Sequence, residues 1–447
     1  MFRKRLNFNQ FVRTPKYSFR RRSSRLKPMN NKAEKFAILL EDIILENKDT
    51  PTIVYDIDDL VKKFKIWNEK MPNIHPYYFV GANRDPLVIK LMSILSRKFS
   101  CSSISEIQQV LDEDNSLPIL LTNPCKTNGI IVHAFKRNVE YLVFDSESEL
   151  QKIRYHHPSA SLLIRLRIGD PNSSERREQK YGVDVREGKE LLQLAKTLNL
   201  EVIGVCFHVG TNCTDPNLFT SSLKDAQSMF NTGIDLGFDV WLLNIGGGFP
   251  GTSDILKSEC AIFNSMAKMI NKSLSNFFPK DGNSMVIAEP GRFFVESAVC
   301  IVVRIVGKRL VRSSDHEECV HYHINESIFG SLRVHKENQF RPLPEPILSR
   351  DDLKKRKICK TFIWGRTCGN QDSINRNIMF PLMDLGEYIM YTHCGAYLSP
   401  YFTHSYDNGE EKPRVKYFAS DKTRKYLKKF DRFDELSHFF DDFESWN

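Results

Sequence analysis

From residue 77 to residue 292 the chain repeats one rhythm eight times: a short β-rich apolar run, then a longer segment of helical period. The runs are "YYFVGAN" (77–83), "FSCSS" (99–103), "PILLTN" (118–123), "YLVFDS" (141–146), "SLLIRLRI" (161–168), "VIGVCFHVG" (202–210), "WLLNIGGG" (241–248) and "MVIAEPGR" (285–292). Strands that alternate with helices pair in parallel, and eight such units in a row predict a closed (β/α)8 barrel of the TIM type in preference to an open doubly wound sheet. The connecting segments carry helix signals. "SEIQQVLDED" and "SELQKIRYHH" each start with Ser and place acids in the first turn, and Pro216 and Gly237 bracket the segment between the sixth and seventh runs.

Outside the barrel the composition shifts. Residues 297–330 and 360–420 are rich in Val, Ile, Tyr, Phe and Thr, and "TPTIVYDIDDL" reads as a strand entering a helix. An antiparallel β domain built from both ends of the chain follows: 34–56 supply its N-terminal strand, 57–296 the barrel, and 297–447 the remainder with a C-terminal helical tail. The polar, proline-containing stretch 333–357 reads as a surface excursion.

The formal charge of +9 belongs to one end. Eleven Lys and Arg precede any acid, and removing them leaves 53 bases (64 less 11) against 55 acids. Residues 1–33 are therefore a basic, disordered arm on a nearly neutral body, which argues against a nucleic-acid-binding face. The arm has transit-peptide composition, and "RRRSSRLK" also fits a nuclear signal. Ten cysteines without a CxxC pair suggest reduced thiols and no structural metal site, hence a cytoplasmic setting, with mitochondrial or nuclear targeting through the arm as the alternative. No apolar run is long enough to span a bilayer.

Function in such a barrel collects where the strands end. Those positions hold Gly81 and Asn83, Cys101 and Ser102, Asn123, Asp145, Arg165 and Arg167, His208, Gly246 to Gly248, and Glu289 with Arg292. Three consecutive glycines after the seventh run expose backbone N–H groups to a phosphate, and Arg292 on the neighbouring run adds a cation. Glu289 is suited to a protonated ring nitrogen and His208 to a ring face, so an aromatic phosphate cofactor such as pyridoxal phosphate fits the set.

Six separated motifs, "CFHVGTNCTDP", "LLNIGGGFPG", "IAEPGRFFV", "FGS", "IWGRTCGNQD" and "CGAY", resemble in order and spacing those of eukaryotic ornithine decarboxylases and their inactive relatives, the antizyme inhibitors. The resemblance runs from about residue 35 to 425. It implies a pyridoxal-phosphate barrel with a β domain, working as a head-to-tail homodimer. It implies that Gly246, Gly247, Gly248 and the stretch Glu289, Pro290, Gly291, Arg292 hold phosphate and pyridinium, with Thr211 near the phosphate, His208 stacked on the ring, Arg165 at the cofactor and Tyr397 on the phosphate. Cys368 matches the proton donor that reaches in from the partner subunit. Lys180 and Asp372 match a pair bridging the dimer, to which Gly395 also belongs. Lys126, Lys136 and Arg137, within residues 123–150, match the segment by which family members bind antizyme.

Several positions depart from the family. Gly81 stands where the family has the lysine that forms the Schiff base with the cofactor, and glycine offers no amine. Ser100 replaces an acid beside that lysine. Of two aspartates that receive the substrate's distal ammonium, one is lengthened to Glu326 and the other is Gly369. A catalytically impaired, antizyme-inhibitor-like regulator of polyamine metabolism is expected, with cofactor noncovalent or absent, as a homodimer or a mixed dimer with an active relative. An active ornithine or related amino-acid decarboxylase is the alternative.

Overall fold

The computed structural model describes residues 32–46, 49–168, 180–251, 261–279, 284–312, 318–333, 344–398 and 412–439. The basic arm up to residue 31 and the tail beyond 439 lie outside them.

The eight runs form a closed parallel barrel, in strands Phe99–Cys101, Ile119–Leu121, Tyr141–Phe144, Ser161–Leu166, Glu201–Phe207, Leu242–Asn244 and Met285–Ala288, plus a first strand in two pieces, Ile74–Pro76 and Tyr78–Phe79. That division closes the ring. Ile74–Pro76 pairs with the eighth strand (Ile74 opposite Val286) and Tyr78–Phe79 with the second (Tyr78 opposite Phe99). At the joint, the Tyr77 N–H donates to the Ala288 carbonyl at 2.8 Å and the Tyr78 N–H to the Lys98 carbonyl at 2.9 Å, so one stretch of chain turns from one neighbour to the other. Tyr77, Leu120, Val143, Leu163, Ile203, Cys206, Leu242 and Ile287 fill the interior, which makes the barrel a packed core.

Each strand is shorter than its run. The closing residues (Asn123, Asp145, His208, Gly246 to Gly248 and Glu289) lie just past the last pairing and form the barrel's rim. The first run differs most: Val80–Ala82 is a turn of 3₁₀ helix where extended chain is expected. The Asn83 side chain then takes the Asp85 N–H at 2.9 Å, and Asp85 caps helix Pro86–Leu95 by accepting from the Leu87 N–H at 3.0 Å, so the chain leaves the barrel through a tight, hydrogen-bonded corner. The expected caps, Ser105 and Ser148, lie inside their helices (Ile104–Glu113 and Glu147–His156), and the serines two residues earlier take the N-cap positions: Ser103 accepts from the Glu106 N–H at 3.3 Å, whereas Ser146 makes no capping bond.

The β domain uses both chain ends. Thr52–Asp56 pairs antiparallel with the long strand Val299–Arg312 and parallel with Arg414–Phe418. The long strand also carries Glu318–Ile324 and Tyr388–Tyr391, and Ile358–Trp364 and Ser373–Pro381 extend the sheet beyond Glu318–Ile324. Two parallel pairs interrupt an otherwise antiparallel sheet, because Thr52–Asp56 and Ile358–Trp364 each reach the sheet after long excursions. Two sequence expectations change. The segment 34–56 is mostly helix, Lys32–Glu46, since "FAILLEDIILE" spaces its apolar residues by three and four, and the strand is confined to Thr52–Asp56. The excursion 333–357 contains an edge strand, Pro344–Pro346, and a helix, Arg350–Lys355, that buries no side chain.

Candidate functional site

The open end of the barrel holds a cavity of about 460 Å³. Phe79, Arg165, Tyr181, His208, Thr211, Gly247, Gly248, Glu289, Gly291, Arg292 and Tyr397 line it, together with Ser102, Thr122, Asn123 and apolar neighbours. Nine of the eleven expected cofactor residues therefore line the cavity, and the other two adjoin it: Gly246 precedes Gly247, and the Pro290 carbonyl takes the Phe79 N–H at 3.3 Å.

The glycine turn is built by backbone geometry. Gly246 and Gly248 have φ of +66° and +105°, and a Cβ on Gly246 would stand 2.0 Å from the Phe207 carbonyl oxygen, so no other residue makes this bend. The Asn244 side chain anchors the turn by accepting from the Gly246 N–H at 2.9 Å and donating to Glu289 at 2.7 Å. Glu289 also accepts from the Ser100 hydroxyl at 2.5 Å. Burial raises the Glu289 carboxyl above its usual range against the pull of Ser100, Asn244, Arg165 and Thr122. A carboxyl so placed is a strong acceptor for a protonated ring nitrogen, which would draw it back to the ionised form.

His208 lies against Gly247, whose hypothetical Cβ would be 3.1 Å from Nε2. Its Nδ1 accepts from the Gly210 N–H at 2.9 Å, which leaves the proton of the neutral ring on Nε2. Burial, with help from Arg165, lowers its pKa to about 4, so at neutral pH it is an uncharged flat surface. The Arg165 guanidinium stands 5.2 Å from the Tyr181 ring centre.

At the end of the cavity where the sequence expects a phosphate, Arg292 is buried. Its Nε donates to the Thr211 hydroxyl at 3.2 Å, its Nη1 meets Glu296 at 2.6 Å, and its guanidinium faces the Tyr397 ring at 5.1 Å. Tyr397 belongs to a β-domain loop that docks on the barrel rim: its N–H donates to the Ala82 carbonyl at 2.5 Å, and Asn83 donates to the Gly395 carbonyl at 2.9 Å. Gly395 is a close-approach glycine, since a Cβ there would lie 1.8 Å from the Val295 carbonyl oxygen.

Gly81 sits in the 3₁₀ turn at the rim, and the space above it is taken. A Cβ at Gly81 would be 2.7 Å from Phe79 Cζ and 2.8 Å from Cε1, so the phenyl ring lies where a side chain at 81 would begin. Phe79 itself lines the cavity. No lysine lines the cavity among the described residues. Lys90, one helix on, is engaged by Glu113 at 2.5 Å and Glu435 at 2.6 Å. The residues present fit the ring of a pyridoxal-type ligand and offer nothing to attach its aldehyde.

The remaining expected residues lie elsewhere. Cys368 is exposed in a β-domain loop and does not line this chain's own cavity, and a Cβ on Gly369 beside it would stand 3.9 Å from the Thr367 hydroxyl. Glu326 is fully buried; one oxygen takes the Ser327 N–H at 2.8 Å, the other makes no hydrogen bond among the described residues, and burial raises its pKa. Asp372 is buried as a loop staple, accepting from the Ile328 N–H at 3.0 Å, the Thr367 N–H at 2.9 Å and the Thr367 hydroxyl at 2.7 Å. Lys180 lies over Tyr181, 4.8 Å from its ring centre.

Lys126 corrects the sequence reading. It is buried and cannot offer charge to a partner: its ammonium meets Glu149 at 2.8 Å and the Val143 and Asn123 carbonyls at 2.6 and 3.1 Å. The lysine, in the loop after strand Ile119–Leu121, reaches across to the end of the next strand, where the buried carboxylate of Glu149 waits. Lys136 is exposed at the end of helix Asn128–Lys136, next to Phe135, itself 50% exposed, while Arg137 donates to Gln108 at 2.7 Å.

Sequence reasoning missed Phe79, Tyr181, Asn244 and Glu296. Two signals were present: a bulky residue and a glycine two apart share a strand face, and Arg292 with Glu296 is an i, i+4 pair in "RFFVE".

Residues 57–296 match the family description "pyridoxal-dependent decarboxylase, pyridoxal binding domain". Antizyme inhibitor 2 of Xenopus laevis is 34% identical over 371 residues, covering 80% of each chain. Ornithine decarboxylase of Rattus norvegicus is 33% identical over 385 residues, covering 82% of this chain and 80% of its own. Among solved structures, the arginine decarboxylase of Paramecium bursaria Chlorella virus superposes with a TM-score of 0.76 at 28% identity, over 86% of this chain and 100% of that one.

Proposed function

Because the chain belongs to the family of ornithine decarboxylases and antizyme inhibitors, pyridoxal-dependent decarboxylases in fold and ancestry, we propose that it acts in polyamine metabolism as a non-catalytic regulator. It would bind antizyme and so spare an active ornithine decarboxylase. One observation carries this reading: the cavity has no lysine among its described lining residues, and the phenyl ring of Phe79 covers Gly81. Pyridoxal chemistry on amino acids needs an amine that captures the cofactor and later displaces the product, and none of the groups lining this pocket can do either.

What remains suits binding. Glu289, His208 and the glycine turn can hold a flat heteroaromatic ring noncovalently, and helix Asn128–Lys136 offers Lys136 and Phe135 as the exposed parts of the segment that resembles the antizyme-binding one. We further place the protein in the cytoplasm as a homodimer or a mixed dimer, with Cys368 directed to the partner's pocket. The competing reading, an active decarboxylase of altered specificity, draws on the retention of Cys368, His208, Glu289 and Arg292, but each of these acts on a cofactor already held in place.

The test is restoration of activity. Antizyme-inhibited ornithine decarboxylase is titrated with the purified chain, and putrescine formation is followed. Recovery of activity that saturates with added chain is the expected result, with none from the chain alone. No recovery at severalfold molar excess over antizyme would overturn the regulatory role.

A further inference from the structure

Glu296 does not line the cavity, yet it pairs with Arg292, the cation at the expected phosphate end, and holds the Gly251 N–H behind the glycine turn. Its side chain is 2% exposed. One oxygen pairs with Arg292 Nη1 at 2.6 Å, and the other accepts the Gly251 N–H, which closes the "NIGGGFPG" loop, at 3.2 Å. Gly251 is shaped for this contact, since a Cβ there would lie 2.6 Å from Glu296 Cβ and 2.7 Å from Oε2. The Gly251 carbonyl in turn receives the Lys63 ammonium and, at 3.3 Å, the Ser297 hydroxyl, which also donates to Asp59 at 2.5 Å. Loop and arginine are thus tied together through Glu296.

We propose that Glu296 is a built-in anion that neutralises the phosphate end of the pocket, so that the chain does not favour a phosphorylated pyridine ring over its unphosphorylated counterpart. A buried carboxylate already pairs with Arg292 and takes one loop N–H, and a dianion brought to Arg292 meets a like charge just behind it where water screens poorly. Thr211 takes the Nε of Arg292, and Tyr397 covers its face, so the guanidinium is held to Glu296. His208 is neutral at physiological pH and supplies no replacement charge. The proposal rests on the non-catalytic reading only in taking the cavity as a noncovalent site.

A plain positioning role for Glu296 gives the opposite sign. If the carboxylate merely orients Arg292 toward phosphate, removing its charge weakens phosphate binding; if it competes, removal strengthens binding. Calorimetry on the full chain with pyridoxine 5′-phosphate and pyridoxine, which lack the aldehyde and so cannot attach to stray lysines, reads this directly. The wild type is expected to bind the two within about threefold, and Glu296→Gln to gain roughly tenfold for the phosphate alone, a change of the size that removing one close like charge produces.

A second readout needs no variant. Inorganic phosphate at about 10 mM, against chloride of equal ionic strength, is expected to leave the wild-type melting temperature unchanged, because only a ligand bound to the folded state raises it. A wild type that prefers the phosphorylated ring by about a hundredfold, a Glu296→Gln variant that loses phosphate affinity, or a phosphate-dependent rise in melting temperature overturns the proposal. None of these outcomes touches the non-catalytic reading, which only turnover of an amino acid would refute.

Discussion

Replacing Gly81 with lysine supplies the missing amine, but the new side chain has to displace the Phe79 ring first. The first side-chain atom at position 81 would fall 2.7 Å from Phe79 Cζ, against ordinary carbon contacts of about 3.5–4.0 Å. The ring must retreat by about 1 Å before Cβ fits, and the rest of the side chain then has to pass it. Overpacking of this kind costs about 1–3 kcal/mol. Spent on the conformer that points into the cavity, that cost lowers the fraction of arms reaching the ligand by roughly 5- to 150-fold.

Phe79→Ala removes the obstacle. Phe79 is only half-buried, so its loss costs less than the about 3–5 kcal/mol of a fully buried phenylalanine. Gly81→Lys and the double variant Gly81→Lys/Phe79→Ala are incubated with excess pyridoxal phosphate, reduced with borohydride and digested, and the peptide bearing position 81 is weighed. Extensive labelling of the double variant and little of the single one is expected. Equal early labelling of both would show that Phe79 does not guard the position.

Acid stability should report on His208. Its folded pKa of about 4 lies below the unfolded value near 6.5, so on acidification the unfolded chain takes up the proton first, and stability is lost between those values and retained above them. His208→Gln should reduce the loss between pH 6.5 and 4 by up to about 3 kcal/mol in denaturant titrations; Asp85, raised to about 6 by burial, acts in the opposite direction but is common to both proteins. An identical acid dependence in both proteins would contradict the buried, neutral ring. Lys126→Met should destabilise the fold by about 3 kcal/mol, because Glu149 loses its buried ion pair and keeps Lys152, at 2.6 Å, and the residue-126 N–H, at 3.3 Å, while antizyme capture per folded molecule stays unchanged. Lys136→Glu should do the reverse, and a stable Lys126→Met variant that loses capture would restore Lys126 to the surface.

The barrel was legible because its signal is repetitive: eight apolar runs, each bounded by helix signals, cannot be rearranged without breaking the period. The rim was legible for the same reason, since the residues that close the runs become the cavity's lining. Local geometry was harder to read. The first run looked extended to Asn83, but Gly81 and the Asn83–Asp85 hydrogen bond turn it into a 3₁₀ corner. Lys126 looked like surface charge because its neighbours in sequence are polar, while its partner Glu149 is 23 residues away. The covering of Gly81 by Phe79 and the capture of Arg292 by Glu296 join residues that lie close together in sequence, which does not say which way the Phe79 and Glu296 side chains point.

Carbon dioxide release from carboxyl-labelled ornithine and lysine, by purified chain with saturating pyridoxal phosphate, tests most directly whether this pocket can act without a lysine. Release no greater than from cofactor alone in buffer is the predicted result. Turnover proportional to protein and unchanged through further purification would contradict it.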